Sequence, residues 1–121
     1  MTSAERDALR QDLVRDEGLR LTVYRCPAGY QTIGVGRNLE GRGISKAEAF
    51  ALLDNDINAC LEDLATFSWW GALTPVRQRA LLNLRFQLGN GGFRGFKDML
   101  AALERRDCVA AAEAARDSKW A

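Results

Sequence analysis

Three side chains in one short stretch of this 121-residue chain have the types and spacing to do chemistry together. The run Asp16-Glu17-Gly18-Leu19-Arg20 … Tyr24-Arg25-Cys26 … Gly29-Tyr30-Gln31-Thr32-Ile33-Gly34-Val35-Gly36 sets a carboxylic acid at the end of an expected helix. It then sets a thiol in the turn after a short strand and a hydroxyl on the returning strand. Eight residues separate Glu17 from Cys26, and five separate Cys26 from Thr32. A helix end and a hairpin can bring an acid and two further polar groups round one small cleft, where they can cut a glycosidic bond. Each residue alone also has a plainer reading: a solvated Glu near a helix end, a half-buried structural Cys, and a strand Thr chosen for its β-branching. Asp16 is read as a partner in a structural ion pair, with no part in the chemistry.

The elements that must position these groups follow from local pattern. A helix is expected over about Ala4 to Glu17, with a narrow apolar stripe of Leu9, Leu13 and Val14 and a stop at Gly18. Glu17 follows Leu13 by four residues and so points toward the same face, where partial burial would strengthen its hold on a proton. Arg6 and Arg10 fall near that face and weaken the pattern. Leu21 to Tyr24 reads as a strand, Pro27-Ala28-Gly29 as a turn, and Tyr30 to Val35 as the returning strand. Gly34, Gly36, Gly41 and Gly43 then make a loop-rich passage with room for a short third strand.

Ser45-Lys46-Ala47-Glu48 has the form of a capping box. The helix it opens carries Phe50, Leu53, Ile57, Leu61 and Leu64 at helical spacing and is expected to run to about Ala65, where Phe67 to Gly71 break it. Thr74 caps the next helix, with Pro75 at its first position and Val76, Ala80, Leu81, Leu84 and Leu88 as its buried stripe. Gly89-Asn90-Gly91-Gly92 is expected to end it. Two further helices are expected over about Gly95 to Arg105 and Cys108 to Arg116.

Composition bounds the chemistry. Apolar residues make up 47% and charged residues 27%, ordinary values for one globular domain. The formal net charge of +1 gives no polyelectrolyte field for nucleic acid. The chain has no histidine, which removes Ser-His and Cys-His hydrolysis and the commonest zinc ligand. Cys26, Cys60 and Cys108 are far apart and odd in number, so neither a metal knuckle nor a redox dithiol is expected, and free thiols suit a reducing cytoplasm. No stretch is apolar enough to span a membrane, and Met1 to Arg15 lacks the apolar core of a signal peptide. No metal or organic cofactor is implied, since proton transfer and water attack suffice.

The residue pattern resembles that of the phage-type lysozymes, the bacteriophage endolysins of glycoside hydrolase family 24. Their motif is Glu, eight residues, Asp or Cys, five residues, Thr, and this chain is similar to the Cys version. The flanking Glu-Gly-Leu-Arg-Leu and Gly-Tyr-x-Thr-Ile-Gly-Val-Gly segments resemble the family too. So do Pro75-Val-Arg-Gln-Arg-Ala-Leu-Leu-Asn-Leu-Arg-Phe86-Gln-Leu-Gly89, Phe93-Arg-Gly-Phe96-Lys and Ala114-Ala-Arg-Asp-Ser118-Lys-Trp120, so that about Asp12 to Trp120 is covered.

The resemblance implies an α+β, lysozyme-like fold in one domain: an N-terminal helix and small antiparallel β lobe over about residues 1–45, a connecting helix over 46–66, and a mostly helical lobe over 67–121. It implies that Glu17 is the general acid, that Cys26 as a thiolate either takes the proton of the attacking water or serves as the negative charge facing the oxocarbenium-like centre, and that Thr32 holds that water. A free thiol is mostly protonated at neutral pH, so Cys26 needs a lowered pKa, to which neighbouring Arg25 is expected to contribute. Asn38 and Phe86 match positions that line the saccharide cleft. At a cleft position where the family has a small residue such as Ser, this chain has Met99.

Trp69, Trp70 and Trp120 are read as core residues before sugar-stacking ones. The family continues beyond the Ser-x-Trp segment with a basic helix that supplies an Arg near the Glu, whereas this chain stops at Ala121. A shortened natural form, a fragment, or a chain that supplies the group otherwise all fit. An incomplete C-terminal core is expected to expose an apolar patch that favours self-association.

The function implied is hydrolysis of the β-1,4 bond between N-acetylmuramic acid and N-acetylglucosamine of peptidoglycan, by an enzyme held in the host cytoplasm until release to the wall. Glycan strands would be the partner, with no nucleic acid and no membrane. Two other readings stay open. A lytic transglycosylase needs the acid but not the water-holding pair. A wall-binding or virion structural module would keep the fold without the activity.

Overall fold

A computed structural model of the chain describes residues 1–117, so the expected Ser118-Lys-Trp120 segment and the core reading of Trp120 lie outside the described residues. The element order is α1 (Ser3–Glu17), β1 (Arg20–Arg25), β2 (Gln31–Gly34), β3 (Arg37–Asn38), α2 (Lys46–Leu64), a short 3-10 turn (Trp70–Ala72), α3 (Pro75–Arg94), α4 (Lys97–Glu104) and α5 (Cys108–Arg116). The described residues thus form an α+β fold, with five α-helices and one three-stranded antiparallel sheet in the order β1-β2-β3. Contacts divide the chain into two compact units, one ending at Ala49 and the other beginning at Phe50.

In the first unit, α1 opens with a capping box. The Thr2 hydroxyl accepts from the Glu5 N–H at 3.1 Å, and the Glu5 carboxylate accepts from the Thr2 N–H at 2.9 Å. It ends at Gly18, whose φ of 81° a side chain would strain. The expected apolar stripe does not become a buried face: Leu9, Leu13 and Val14 are 41–43% exposed and no residue of α1 is buried. A stripe that narrow, shared with Arg6 and Arg10, has little apolar area to bury.

The hairpin forms where its turn chemistry places it. The Gly29 N–H donates to the Cys26 carbonyl at 2.8 Å and the Cys26 N–H to the Tyr30 carbonyl at 3.0 Å. Pro27 takes the second position of the turn, and Gly29, at φ 90°, takes the left-handed one that closes a three-residue loop. Tyr24 pairs with Thr32 and Arg20 with Gly34, with an irregularity between them that leaves Leu21 and Val23 exposed on β1. The Ser45 capping box of α2 is present, with the Glu48 N–H donating to the Ser45 hydroxyl at 3.1 Å and the Ser45 N–H to the Glu48 carboxylate at 2.9 Å. The same carboxylate takes Arg37 of β3 at 2.8 Å. Arg37 above all, then the Ser45 amide and hydroxyl, hold the Glu48 pKa down at about 2. Because folding lowers that pKa, the pairing stabilises the junction above the ordinary glutamate range and is lost as pH falls toward about 2.

The apolar core sits in the second unit. Leu64, Trp69, Leu84, Phe93, Met99, Ala102, Leu103 and Ala111 form one buried cluster. Trp69 is buried at 1% exposure and Trp70 packs half-buried against the cluster, as expected of core aromatics. The α2 stripe is Leu53, Ile57, Cys60 and Leu64, while Phe50 and Leu61 are exposed; on α3, Val76 is exposed as well. An i, i+3, i+4 count tolerates a neighbouring row at the edge of a stripe, and packing selects the row. At Gly89 (φ 72°, ψ 173°) α3 is broken as the glycine run predicts, but it resumes and continues to Arg94. Asp63 of α2 holds both pieces, pairing with Arg85 at 2.7 Å and with Arg94. Burial opposes its ionisation, but the two guanidiniums outweigh it and keep its pKa below the ordinary value. An apolar hollow of about 520 Å³, lined by Leu73, Leu81, Leu84, Met99, Leu103 and Ala111 among others, lies in this unit.

Candidate active site

Glu17 is the last residue of α1 and is exposed, which corrects the expectation of partial burial. Its seat is the hairpin. Gly36, in the turn between β2 and β3, lies so close that an added Cβ would stand 2.9 Å from the Glu17 Oε2 atom and 3.3 Å from its carboxyl carbon. Gly36 also has a φ of 66°, so only glycine meets both demands. The sequence signal was the Gly34-x-Gly36 pair, read above only as the start of a loop-rich passage.

This close approach makes a specific prediction. Gly36→Ala and Gly34→Ala both place a side chain at positive φ, but the Cβ at Gly34 meets open space. Both variants are expected to lose a similar few degrees of thermal midpoint, an effect of about 1–2 kcal/mol. Only Gly36→Ala should also lose wall-lytic rate, by about 10-fold or more, because the acid is displaced. Melting curves and turbidity clearing of permeabilised cells check both halves, and equal activity in the two variants removes Gly36 from the site.

Cys26 and Thr32 are brought together. Thr32, on β2 and paired opposite Tyr24, is 3% exposed and is the only buried residue of the first unit among those described. Its hydroxyl donates to the Tyr30 carbonyl at 2.9 Å and stands within hydrogen-bonding reach of the half-buried Cys26 sulfur. A hydroxyl has one proton, so donation to a Cys26 thiolate requires it to leave the Tyr30 carbonyl by rotation about its C–O bond.

The Cys26 thiol has a pKa below that of an ordinary cysteine. The backbone N–H of Tyr30 is the leading cause. Partial burial opposes it, and the Thr32 hydroxyl and the N–H groups of Ala28 and Gly29 add to it. A three-residue loop that curls its amides round a sulfur is an anion nest. The backbone amides of the turn, not a neighbouring charge, are what lower it.

Asn38, on β3 opposite Thr32, is half-buried. Its side-chain oxygen accepts from the Gly41 N–H at 2.9 Å and its carbonyl from Arg42 at 3.0 Å, so its side chain shapes the loop that follows. Phe86 is on α3 of the second unit and is 43% exposed. Met99 is buried in the apolar cluster. Among the described residues, no group of three or more metal-ligating side chains converges.

The Phage lysozyme family pattern matches residues 14–121. The chain is 34% identical to the pre-baseplate central spike protein Gp5 of Enterobacteria phage T4, over 93% of this chain and 25% of that protein, so it spans a quarter of that relative's length. It is 27% identical to probable T4-type lysozyme 1 of Dictyostelium discoideum, over 99% of this chain and 86% of the relative. To probable T4-type lysozyme 2 of the same organism it is also 27% identical, over 93% and 84%. The match to the family extends from inside α1 to the last residue of the chain, and the chain belongs to the phage lysozyme family.

Proposed function

We propose that this protein is a muramidase that hydrolyses the β-1,4 bond between N-acetylmuramic acid and N-acetylglucosamine, with Glu17 as acid and Cys26 and Thr32 serving the water. The observation that carries the reading is the hairpin itself. One short segment sets the Glu17 carboxylate against Gly36, and its backbone N–H groups, that of Tyr30 first, favour the Cys26 thiolate. In the proposed step Glu17, in its acid form, gives its proton to the glycosidic oxygen as the bond to the anomeric carbon breaks. A water resting on the Thr32 oxygen attacks that carbon, and the Cys26 thiolate takes the proton the water releases. Exchange with solvent then returns the proton to Glu17. Asn38 and Phe86 would contact the glycan.

On this reading the partner is the peptidoglycan glycan strand rather than nucleic acid or a membrane, and the protein waits in the host cytoplasm until lysis. Among the described residues, no helix is long and apolar enough to cross a membrane.

Digestion of purified peptidoglycan followed by mass spectrometry tests the function. Hydrolysis yields reducing muramic ends, one water heavier than the anhydro-muramic ends of a transglycosylase. Anhydro products would reassign the reaction, and a sacculus left uncut would leave a wall-binding or virion module on the same fold.

A further inference from the structure

The loop that surrounds Cys26 is held from outside by Arg25. This exposed guanidinium donates from its Nη1 to the Gly29 carbonyl at 3.0 Å. The carbonyl of Gly29 and the N–H of Tyr30 belong to one peptide unit, and no peptide bond of the described chain is cis. In a planar trans unit the two groups point in opposite directions. Fixing the oxygen toward Arg25 therefore fixes the N–H on the opposite side, and that N–H is the leading cause of the lowered Cys26 pKa. The two main-chain bonds of the loop, Gly29 N–H to Cys26 carbonyl and Cys26 N–H to Tyr30 carbonyl, pin its ends but leave the Gly29–Tyr30 unit without a main-chain acceptor of its own. Gly29, at φ 90°, is the residue least able to resist rotation of that unit.

We propose that Arg25 is a positioning residue for Cys26: by holding the Gly29 carbonyl it aims the Tyr30 N–H at the sulfur and polarises it. The effect runs through one peptide plane, not through the charge on Arg25. Two observations argue for that route. The N–H of Tyr30 is the leading donor to the sulfur, and the other groups that favour the thiolate are further N–H groups and the Thr32 hydroxyl, with no charged side chain of the described residues among them. A donor pulled from its carbonyl end is also the stronger donor, since hydrogen bonds in series reinforce one another. The proposal rests on the reading above only in making Cys26 a working group; the geometry stands without it.

The test is the pH dependence of Cys26 alkylation by iodoacetamide in a Cys108→Ser background, with Cys60 left buried in the core. Arg25→Met should raise the midpoint of the reactivity curve by about one pH unit, equally at low ionic strength and in 1 M salt. Arg25→Lys, which keeps a donor, should recover most of it. A midpoint that does not move, or a rise that vanishes in high salt, overturns the proposal; the second outcome means that Arg25 acts only by its field. In a lysis assay, the acid limb of the Arg25→Met profile should shift to higher pH by the same amount. Alkylation reads the thiol without substrate, so a shifted midpoint in a protein that cuts no glycan keeps this inference and sinks the muramidase, and the reverse result does the opposite.

Discussion

Glu17→Gln is expected to lower the rate of wall hydrolysis by about 10²- to 10⁴-fold while leaving the fold intact, the range for loss of a general acid. The amide has nearly the shape of the carboxyl but no proton of the right acidity to give. Because Glu17 is exposed and makes no ion pair or hydrogen bond among the described residues, its replacement should leave the thermal midpoint close to that of the parent chain. That separation matters, since a fall in both rate and midpoint would report unfolding rather than chemistry. The measurement is initial rate of reducing-end release, beside a melting curve of the same preparation. A Glu17→Gln protein that clears wall as fast as the parent ends the assignment of the acid.

Cys26 gives the second large effect, and it depends on pH. On the proposed mechanism the thiolate is the competent form, and the loop amides place its pKa below the ordinary cysteine value, so activity should fall as pH drops through that lowered value. Cys26→Asp puts a carboxylate in the same nest, ionised down to about pH 4. It should keep the activity and extend the acid limb of the profile to lower pH. Cys26→Ser supplies a hydroxyl that does not ionise in this range and should cost about 10²-fold or more. Iodoacetamide should silence the parent and leave Cys26→Asp working, provided Cys108, the other half-buried thiol, has been replaced. Equal rates for the Ser and Asp variants at neutral pH would remove the need for a negative charge at this position.

Much of the local structure was legible because its causes are local. The Ser45-Glu48 capping box, the Thr74-Pro75 helix start and the Pro27-to-Gly29 turn each depend on atoms within five residues, and each forms as its sequence predicts. The limits of the reading lie where distant segments compete. Leu9, Leu13 and Val14 have the spacing of a buried face, yet α1 buries nothing. Phe50 and Leu61 lie one row away from the stripe that α2 buries. Helical periodicity names a side of the cylinder, whereas burial depends on what is packed against it.

The same division runs through the site. By itself the sequence determined which side chains are present and how far apart they lie along the chain: an acid at Glu17, a thiol at Cys26, a hydroxyl at Thr32, and turns short enough to gather them. Only the tertiary structure decided that the Glu17 carboxylate lies against Gly36, that the Thr32 hydroxyl donates to the Tyr30 carbonyl, and that Arg25 holds the Gly29 carbonyl of the loop that follows Cys26. Residue type and spacing are properties of covalent order. The direction of an N–H, and the room left beside a carboxylate, exist only once the chain has closed on itself.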